Sequence, residues 1–262
     1  MTAPSPRIAC LVPSVTELLA ALGLARYLVA RTGYCIHPAA ALAGVPKVGG
    51  TKDVNLGKLK RLAPTHVIVN IDENRRETAE ALRGFVPEVV VTHPCGPEAV
   101  VSLIAQMVAR FGELPGVADR GAALTSELLA ELSATTPEGR AAVPVLYLIW
   151  REPWMTVARD TYVARLLARV NWLTLPALEG GEHGASRYPP LTGGEAWLPQ
   201  VREILLSSEP YAFRADHLPL AQALCPNARV HLVDGDLLSW YGPRTAAGLR
   251  YLRSLSASIE AC

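Results

Sequence analysis

The stretch at residues 7–24, RIACLVPSVTELLAALGL, decides the fold class. It opens with a nearly continuous apolar run of strand length. Ser14 follows, with Glu17 three residues later, which is the spacing of a helix capping box. Apolar residues then recur at helical intervals. The stretch therefore predicts a strand, a loop and a helix in succession, with Ser14 as the N-cap of the helix.

The same alternation of strand and helix patterns continues along the chain. Short strands filled with Val and Ile, alternating with helices, are typical of a parallel sheet covered on both faces. The predicted strands are 27–32, 66–71, 88–93, 145–150, 211–215 and 229–235. The predicted helices are 55–64, 73–85, 97–112, 161–170, 198–208, 220–224 and 244–259. The pattern predicts the α/β class.

One long helix divides the chain into two halves. Residues 116–135 are rich in Ala and Leu and are helical in pattern over their whole length. We therefore predict an N-terminal α/β lobe over 1–115, a linking backbone helix over 116–140 and a C-terminal α/β lobe over 141–262. Each lobe is expected to contain a parallel sheet. Residues 175–197 are rich in Gly and Pro and predict an exposed loop.

Composition limits the partners and the compartment. Half of the 262 residues are apolar and the net charge is +1, so the chain has no basic surface typical of nucleic-acid or membrane binding. A small-molecule ligand is the expected partner. The cysteine count is odd and the spacing irregular, which does not indicate a disulfide framework. Polar residues interrupt the apolar N-terminal window, so no export signal or membrane span is predicted. The expected location is the cytoplasm, or the periplasm if a leader has been removed.

Aromatic residues follow the predicted strands of the second half. Trp150, Trp154 and Trp240 are placed there, with Tyr241 next to the last of them and Arg151 between the first two. Ligands of open parallel sheets bind beyond the carboxyl ends of the strands. Any one of these tryptophans taken alone fits core packing as well as it fits ligand contact. Three together favour a surface for a flat or apolar ligand.

Thiols and imidazoles follow the predicted strands of the first half. Cys35 and His37, with His93 and Cys95, are the donor types of a tetrahedral zinc site, although their spacing does not match a common zinc motif. A thiol-dependent enzyme using Cys35 is a second alternative. Buried packing of Cys35 is a third. No nucleophile elbow, phosphate loop, dinucleotide fingerprint or HExxH motif is present.

The order of segments resembles a known family. Residues 7–24, 45–69, 145–172, 201–214 and 239–252, with the long helix in mid-chain, are similar to the helical-backbone (class III) substrate-binding proteins of ABC importers. Within the iron/cobalamin periplasmic-binding superfamily, the cobalamin-binding branch is the most similar. The resemblance implies two Rossmann-like lobes joined by one long helix, a ligand cleft between the lobes and little lobe motion. It also implies that the protein binds a ligand and does not catalyse a reaction.

The resemblance assigns ligand contacts by position. Pro13 and Ser14 match the first binding loop, and Thr51 stands where cobalamin binders have a ligand-stacking Trp. His37 stands near their Tyr before Pro, and we expect His37, with Cys35, as candidate metal ligands. The predicted ligand contacts are Pro13, Ser14, Tyr34, His37, Thr51, Asp72, Trp150, Arg151, Trp154, Trp240 and Tyr241.

The resemblance also implies a ligand class and a partner. The ligand is expected to be cobalamin, another corrinoid or a ferric chelate such as an iron–siderophore, held without a covalent bond. Exported members present one surface Glu from each lobe to arginines of an ABC permease. Glu203 fits the second-lobe position, and Gly57 stands at the first. The expected role is transport-related or cytosolic binding of the ligand.

Overall fold

The computed structural model describes residues 5–181 and 184–261 of the chain. These residues form two compact units. Unit 1 comprises the described part of Met1–His93 together with Val101–Ser126. Unit 2 comprises Pro94–Val100 and the described part of Glu127–Cys262. No helix in the described ranges combines the length and apolar character that a membrane crossing requires.

Unit 1 is built on a four-stranded parallel sheet. Its strands lie in the order β2-β1-β3-β4. They are β1 (Ile8–Cys10), β2 (Leu28–Arg31), β3 (His66–Asn70) and β4 (Glu88–Thr92). The helices up to the end of this sheet are α1 (Pro13–Ala21), α2 (Ala39–Leu42), α3 (Leu56–Arg61) and α4 (Arg76–Leu82). Because all strands are parallel, their carboxyl ends share one edge of the sheet.

Unit 2 contains a second four-stranded parallel sheet with the equivalent order, β6-β5-β7-β8. Its strands are β5 (Val143–Leu148), β6 (Trp172–Thr174), β7 (Glu203–Ser207) and β8 (Arg229–Val233). Its helices are α7 (Tyr162–Ala168), α8 (Leu218–Gln222), α9 (Gly235–Ser239) and α10 (Arg244–Glu260). The predicted α/β class with two parallel sheets is confirmed.

The central strands are buried on both faces, as their apolar composition requires. All residues of β1 and of β7 are buried. In unit 1, Val67 and Val69 of β3 pack with Leu59 of α3 and Leu82 of α4. Burial of such side chains contributes roughly 1.5–3 kcal/mol each. The strands therefore serve as rigid supports for the segments that follow them.

Two longer helices connect the sheets. They are α5 (Ala99–Phe111) and α6 (Val117–Ala134), the latter corresponding to the predicted long helix. The first part of α6 belongs to unit 1 and the part from Glu127 belongs to unit 2. Within unit 2, Arg250 of α10 bonds Glu127 and Glu131, and Arg253 bonds Glu131 at 2.7 Å. The lobe boundaries set out above remain a prediction.

Two predicted elements of the second half are wrong. Residues 198–208 were expected to form a helix, but they contain a short 3₁₀ turn followed by strand β7. Residues 211–215 were expected to form a strand, but they run through turns to the start of a 3₁₀ helix. Strand β6, at Trp172–Thr174, was not predicted. A run of four or five apolar residues fits a buried strand and a buried helix equally well, so periodicity does not separate them.

The predicted capping box at Ser14 is also wrong. Helix α1 begins at Pro13, and its N-cap residue Val12 makes no side-chain cap. Proline suits the first helical position, because its missing N–H would have no helical partner there. Ser14 is instead buried within the first turn. The strand, loop and helix are nevertheless formed in the predicted order.

The loop over residues 175–197 is held at one point by a buried ion pair. Arg187 is 1% exposed, and its Nη1 lies 3.1 Å from Oδ2 of Asp160. The same nitrogen donates to the carbonyl oxygen of Gly181 at 2.7 Å. The backbone N–H of Gly180 donates to Oδ1 of Asp160 at 2.9 Å. This part of the loop is therefore fixed against the segment before α7.

Candidate functional site

The carboxyl edge of each sheet carries the candidate site residues. In parallel sheets the segments after the strands meet at this edge, and ligands of such folds bind there. In unit 1 the segments follow β1, β2, β3 and β4. In unit 2 they follow β5, β6, β7 and β8. The two edges are described separately below.

The segment after β2 presents two large apolar side chains to solvent. Tyr34 is 64% exposed and Ile36 is 51% exposed. His37 between this pair and α2 is half-buried. The side chains of Tyr34 and Ile36 are both accessible from solvent. Tyr34 and His37 therefore lie where a ligand can reach them.

Cys35 points inward from the same segment. Its Sγ lies 3.1 Å from the hydroxyl oxygens of both Thr16 and Thr32, and the residue has no exposed surface. Burial raises the pKa of the Cys35 thiol, although the hydrogen bonds from Thr16 and Thr32 oppose this effect. A neutral, enclosed thiol is a poor nucleophile and metal ligand. The geometry favours the packing interpretation of Cys35.

Two asparagines tie the loops of this edge together. Oδ1 of Asn74 accepts from the backbone N–H of Asn70 at 2.8 Å. Its Nδ2 donates to the carbonyl oxygens of Thr51 at 2.9 Å and Leu11 at 3.3 Å. Oδ1 of Asn70 accepts from the backbone N–H of Asp72 at 2.8 Å. The segments after β1 and β3 and the Thr51 loop are thus held by one hydrogen-bonded cluster.

A charged group lies beside this cluster. Oδ2 of Asp72 is 3.4 Å from Nε2 of His93, and each side chain is 19% exposed. Nζ of Lys52 donates to the carbonyl oxygen of Asp72 at 2.7 Å. Partial burial lowers the pKa of Lys52, although the nearby charges of Glu73 and Asp72 oppose this. Thr51, Asp72 and His93 lie in one unit, at one sheet edge.

The four-residue zinc site considered from the sequence is not formed. Cys35 is enclosed by threonine hydroxyls, and His93 faces Asp72. Within 5–181 and 184–261, no group of three or more His, Cys, Asp or Glu side chains is placed to hold one metal ion. Cys95 belongs to unit 2, where its Sγ accepts from Nη2 of Arg187 at 3.7 Å.

In unit 2 the segments after β5 and β7 form an aromatic cluster. The Trp150 ring meets the Tyr211 ring edge-on, with centroids 5.5 Å apart. Trp154 stacks on Phe213 with an interplanar angle of 10° and a centroid distance of 5.8 Å. Tyr211 and Phe213 are 4.7 Å apart. Trp150 remains 42% exposed, so the outer face of the cluster is open to solvent.

His217 packs against this aromatic cluster. Its Nδ1 accepts from the backbone N–H of Arg214 at 2.9 Å, so the proton of the neutral ring resides on Nε2. Nε2 lies 3.2 Å from the Tyr211 hydroxyl, to which it donates. Arg151 lies over the Trp154 ring at 6.0 Å from its centroid. The aromatic rings are therefore fixed by hydrogen bonds and by a cation.

Trp240 and Tyr241 lie inside unit 2, each 7% exposed. Nε1 of Trp240 donates to Oε1 of Glu209 at 3.0 Å, and Arg244 lies 5.1 Å from the centroid of its ring. The Tyr241 ring meets Tyr162 edge-on at 5.7 Å. These two aromatics support the segment after β8 and present little surface of their own. Their role as ligand contacts remains a prediction.

An open pocket of about 480 Å³ lies beside the ends of β7 and β8. Leu206 and Leu232 are register partners and so share one face of the sheet. Helix α8 has only five residues, and Leu232 is 43% exposed. The pocket is lined by Leu206, Ser208, Phe213, Leu232, Val233, Asp234 and Asp236.

Glu203 lies at the opposite, amino edge of sheet 2. It is the first residue of β7 and is 3% exposed. Nη2 of Arg229 donates to its Oε1 at 2.6 Å, and Nε2 of His231 lies 2.8 Å from its Oε2. The expected surface position of Glu203 is not found, because Arg229 and His231 of β8 cover its carboxylate. Its role in docking remains a prediction. Unit 1 has a similar pair, with His66 3.3 Å from Glu88 at the first register position of β3 and β4.

Comparison with protein families places these two edges in context. The family described as "Periplasmic binding protein" matches residues 8–179. The chain belongs to this family. The match runs from β1 past β6, and so includes both segments that carry Tyr34 and Trp150. No curated protein matches the chain.

Solved structures of other binding proteins share the fold of this family member. The periplasmic vitamin B12 binding protein BtuF of Vibrio cholerae has a TM-score of 0.79 and 19% identity, covering 97% of this chain and 98% of its own. The periplasmic heme binding protein HutB of Vibrio cholerae has a TM-score of 0.75 and 20% identity, covering 96% and 98%. A periplasmic heme binding protein from Pseudomonas aeruginosa has a TM-score of 0.75 and 22% identity, covering 95% and 92%.

Sequence reasoning missed several members of the site. Tyr211 and His217 were not proposed as contacts, because β7 was taken for a helix and Tyr211 for the start of a strand. Had β7 been recognised, the residues from Ser208 onward would have been inspected as a strand end. Lys52 and Asn70 had no signal in the sequence, because their partners are carbonyl and amide groups of distant segments.

Proposed function

We propose that this periplasmic binding family member binds a corrinoid or another metal chelate with a broad, flat face, as the ligand-binding component of a transport process. The observation that carries the proposal is the aromatic cluster of unit 2. An exposed Trp150, supported by Tyr211, Phe213 and Trp154, offers a stiff apolar surface to such a ligand. Within unit 1, the exposed Tyr34 and the half-buried His37 are proposed as contacts of their own sheet edge.

The ligand classes of the compared structures support this choice. Two of those proteins are a vitamin B12 binding protein and a heme binding protein, and both ligands are flat macrocycles that hold a metal. An ABC permease is the expected partner of a binding protein in this role. Since the Glu203 carboxylate is covered, we do not propose Glu203 as a residue that contacts the permease. The proposed role is stoichiometric binding without turnover, which agrees with the enclosed, protonated thiol of Cys35.

A ligand titration tests the proposal. Purified protein is titrated with cyanocobalamin, cobinamide, haem and a ferric siderophore, following Trp fluorescence and the visible bands of the ligand. We expect saturable one-to-one binding of one of them with a Kd of about 1 µM or below. Absence of binding to all four would contradict the proposed ligand class.

Variants identify the surface that binds. Trp150→Ala should weaken binding about tenfold or more, because it removes the exposed ring of the cluster. Leu129→Ala is the matched control, since Leu129 is an exposed apolar residue of α6, 51% exposed, outside the strand-end segments. His37→Ala tests metal coordination separately. If His37 binds cobalt or iron, this variant changes the visible spectrum of the complex.

A further inference from the structure

Arg31 is a buried cation at the end of the edge strand β2. The residue is 8% exposed. Its Nη1 donates to the carbonyl oxygen of Cys35 at 2.8 Å and to that of Thr32 at 3.4 Å. Both acceptors are neutral carbonyl groups and both are reached by the same nitrogen. The side chain therefore fixes the segment after β2 but uses only one corner of its guanidinium to do so.

The other edge of the guanidinium has no partner in the described part of the chain. Nε of Arg31 is shielded from solvent and has no hydrogen-bond acceptor there. No carboxylate of a described residue lies within 4.0 Å of the side chain. Nε–H and Nη2–H are the two parallel donors that match a carboxylate or phosphate in bidentate fashion. A buried charge without a counter-ion is costly, and an anion bound at this edge would offset that cost.

A second cation lies next to Arg31. Arg31 and Lys47 are partners in a parallel bridge, with Arg31 N–H donating to the carbonyl oxygen of Pro46 at 3.0 Å and Val48 N–H donating to that of Arg31 at 2.9 Å. Partners in such a bridge direct their side chains to the same face. Lys47 is exposed and forms no ion pair with a described carboxylate. Two cationic residues therefore occupy paired backbone positions at this point of unit 1.

We propose that Arg31 and Lys47 form a receptor for one oxyanion, a carboxylate or phosphate group. The bidentate edge of Arg31 binds the two oxygens and Lys47 neutralises the remaining charge. Because Nε is shielded, the anion reaches it only when the segment that Arg31 holds through the carbonyl groups of Thr32 and Cys35 shifts. The inference rests on the proposed function only for the source of the anion, which is then an acid group on the periphery of the ligand.

The first arm of the test compares two ligands that differ only in charge. Haem carries two carboxylates, and its dimethyl ester has the same macrocycle without them. The unmodified protein should bind haem about tenfold or more tightly than the ester, as expected for a charge-assisted bidentate contact. Lys47→Gln and Arg31→Lys should reduce this preference, the latter because lysine keeps the charge but lacks the fork. Arg83→Gln, which removes an exposed cation elsewhere in unit 1, is the matched control.

The second arm uses inorganic phosphate and requires no macrocycle. At equal ionic strength, sodium phosphate should raise Tm by a few degrees relative to sodium chloride. Lys47→Gln should abolish this difference, and Arg83→Gln should retain it. Circular dichroism checks that each variant is folded. If Arg31→Lys does not fold, Lys47→Gln alone provides the test. A phosphate effect without a haem preference would identify a free anion as the occupant.

The outcomes separate this inference from the proposed function. It is overturned if neither arm shows an anion preference that Lys47→Gln removes. Equal binding of haem and its ester, without a phosphate effect, overturns the receptor and leaves the macrocycle-binding proposal standing. Failure of all four ligands of the earlier titration contradicts the proposed function, and the phosphate arm then decides the receptor by itself.

Discussion

At the scale of single residues, buried amides do more to position the unit 1 edge than charged groups do. Asn74 is 6% exposed and its side chain meets three backbone groups from three segments. Unsatisfied buried groups of this kind cost about 1–3 kcal/mol. From the sequence, the same stretch reads as the charged beginning of a helix. The amide between the charges is the residue that holds the loops together.

Replacing Asn74 tests this position. Asn74→Ala should lower the free energy of unfolding by about 2 kcal/mol or more, because it leaves the Asn70 N–H and the carbonyl oxygens of Leu11 and Thr51 unpaired. Asn74→Asp keeps the acceptor but loses both donations, and should be intermediate. Urea denaturation measures both. Arg75→Ala is the neighbouring control on an exposed side chain, and an equal effect there would contradict the assignment.

The same scale shows what the sequence can predict of a site. Placement after a strand was enough to select Tyr34 and Trp150, which are exposed at the carboxyl edges. It could not separate them from Trp240 and Tyr241, which follow a strand too but face inward. Nor could it foresee that Cys35 points away from its exposed neighbours. Side-chain direction in a loop depends on contacts with distant segments, such as the hydroxyl of Thr16.

At the scale of elements, the first half of the chain was more predictable than the second. The first half of the chain, with β3 and β4 at five residues each, was predicted in the right order. In the second half, β6 has three residues and no periodicity of its own. Strand β7 is wholly apolar until its terminal serine, apart from Glu203, whose charge is compensated by Arg229 of another strand. Cross-strand compensation of this kind is absent from the local sequence.

The loop fixed by Asp160 and Arg187 gives a prediction at this scale. A Cβ placed on Gly180 would come within 2.4 Å of Cα of Arg187, a backbone atom that cannot move aside cheaply. Gly180→Ala should therefore displace the loop and break the buried ion pair, lowering Tm by several degrees. Gly194→Ala is the control, because its Cβ meets nothing closer than 3.9 Å. Limited proteolysis should then cleave the Gly180→Ala protein faster within 175–197, and equal rates would contradict this account.

At the scale of the whole molecule, buried acids predict a loss of stability at alkaline pH. Burial raises the pKa of Cys10 and Cys35 above the ordinary thiol value of 9.0, and it raises those of Cys225 to about 11 and of Tyr147 to about 12. The unfolded chain releases the thiol protons above pH 9 and the Tyr147 proton above pH 10, while the folded chain retains them. Stability therefore falls as pH rises, by up to about 1.4 kcal/mol per pH unit for each such thiol, until the folded-state pKa is reached.

Melting temperatures between pH 8 and pH 10.5 measure this effect. Cys10→Ala should show a shallower decline than the unmodified protein, even though it is less stable at pH 7. Val15→Ala, a truncation at a residue without exposed surface or titrating group, should keep the original slope. A Cys10→Ala protein whose decline is as steep as that of Val15→Ala would show that the buried thiol does not govern the alkaline limit.

The ion pairs at the amino edges of both sheets have a consequence for how such a protein can diverge. His66 with Glu88, and Glu203 with Arg229, join neighbouring strands at the amino end of each sheet. The segments after the strands, at the carboxyl edges, are therefore not needed to set the strand register. Those segments can then change in evolution, or be exchanged by protein engineering, while the strand register stays the same. A binding protein with this fold can thus change its ligand through substitutions confined to those segments.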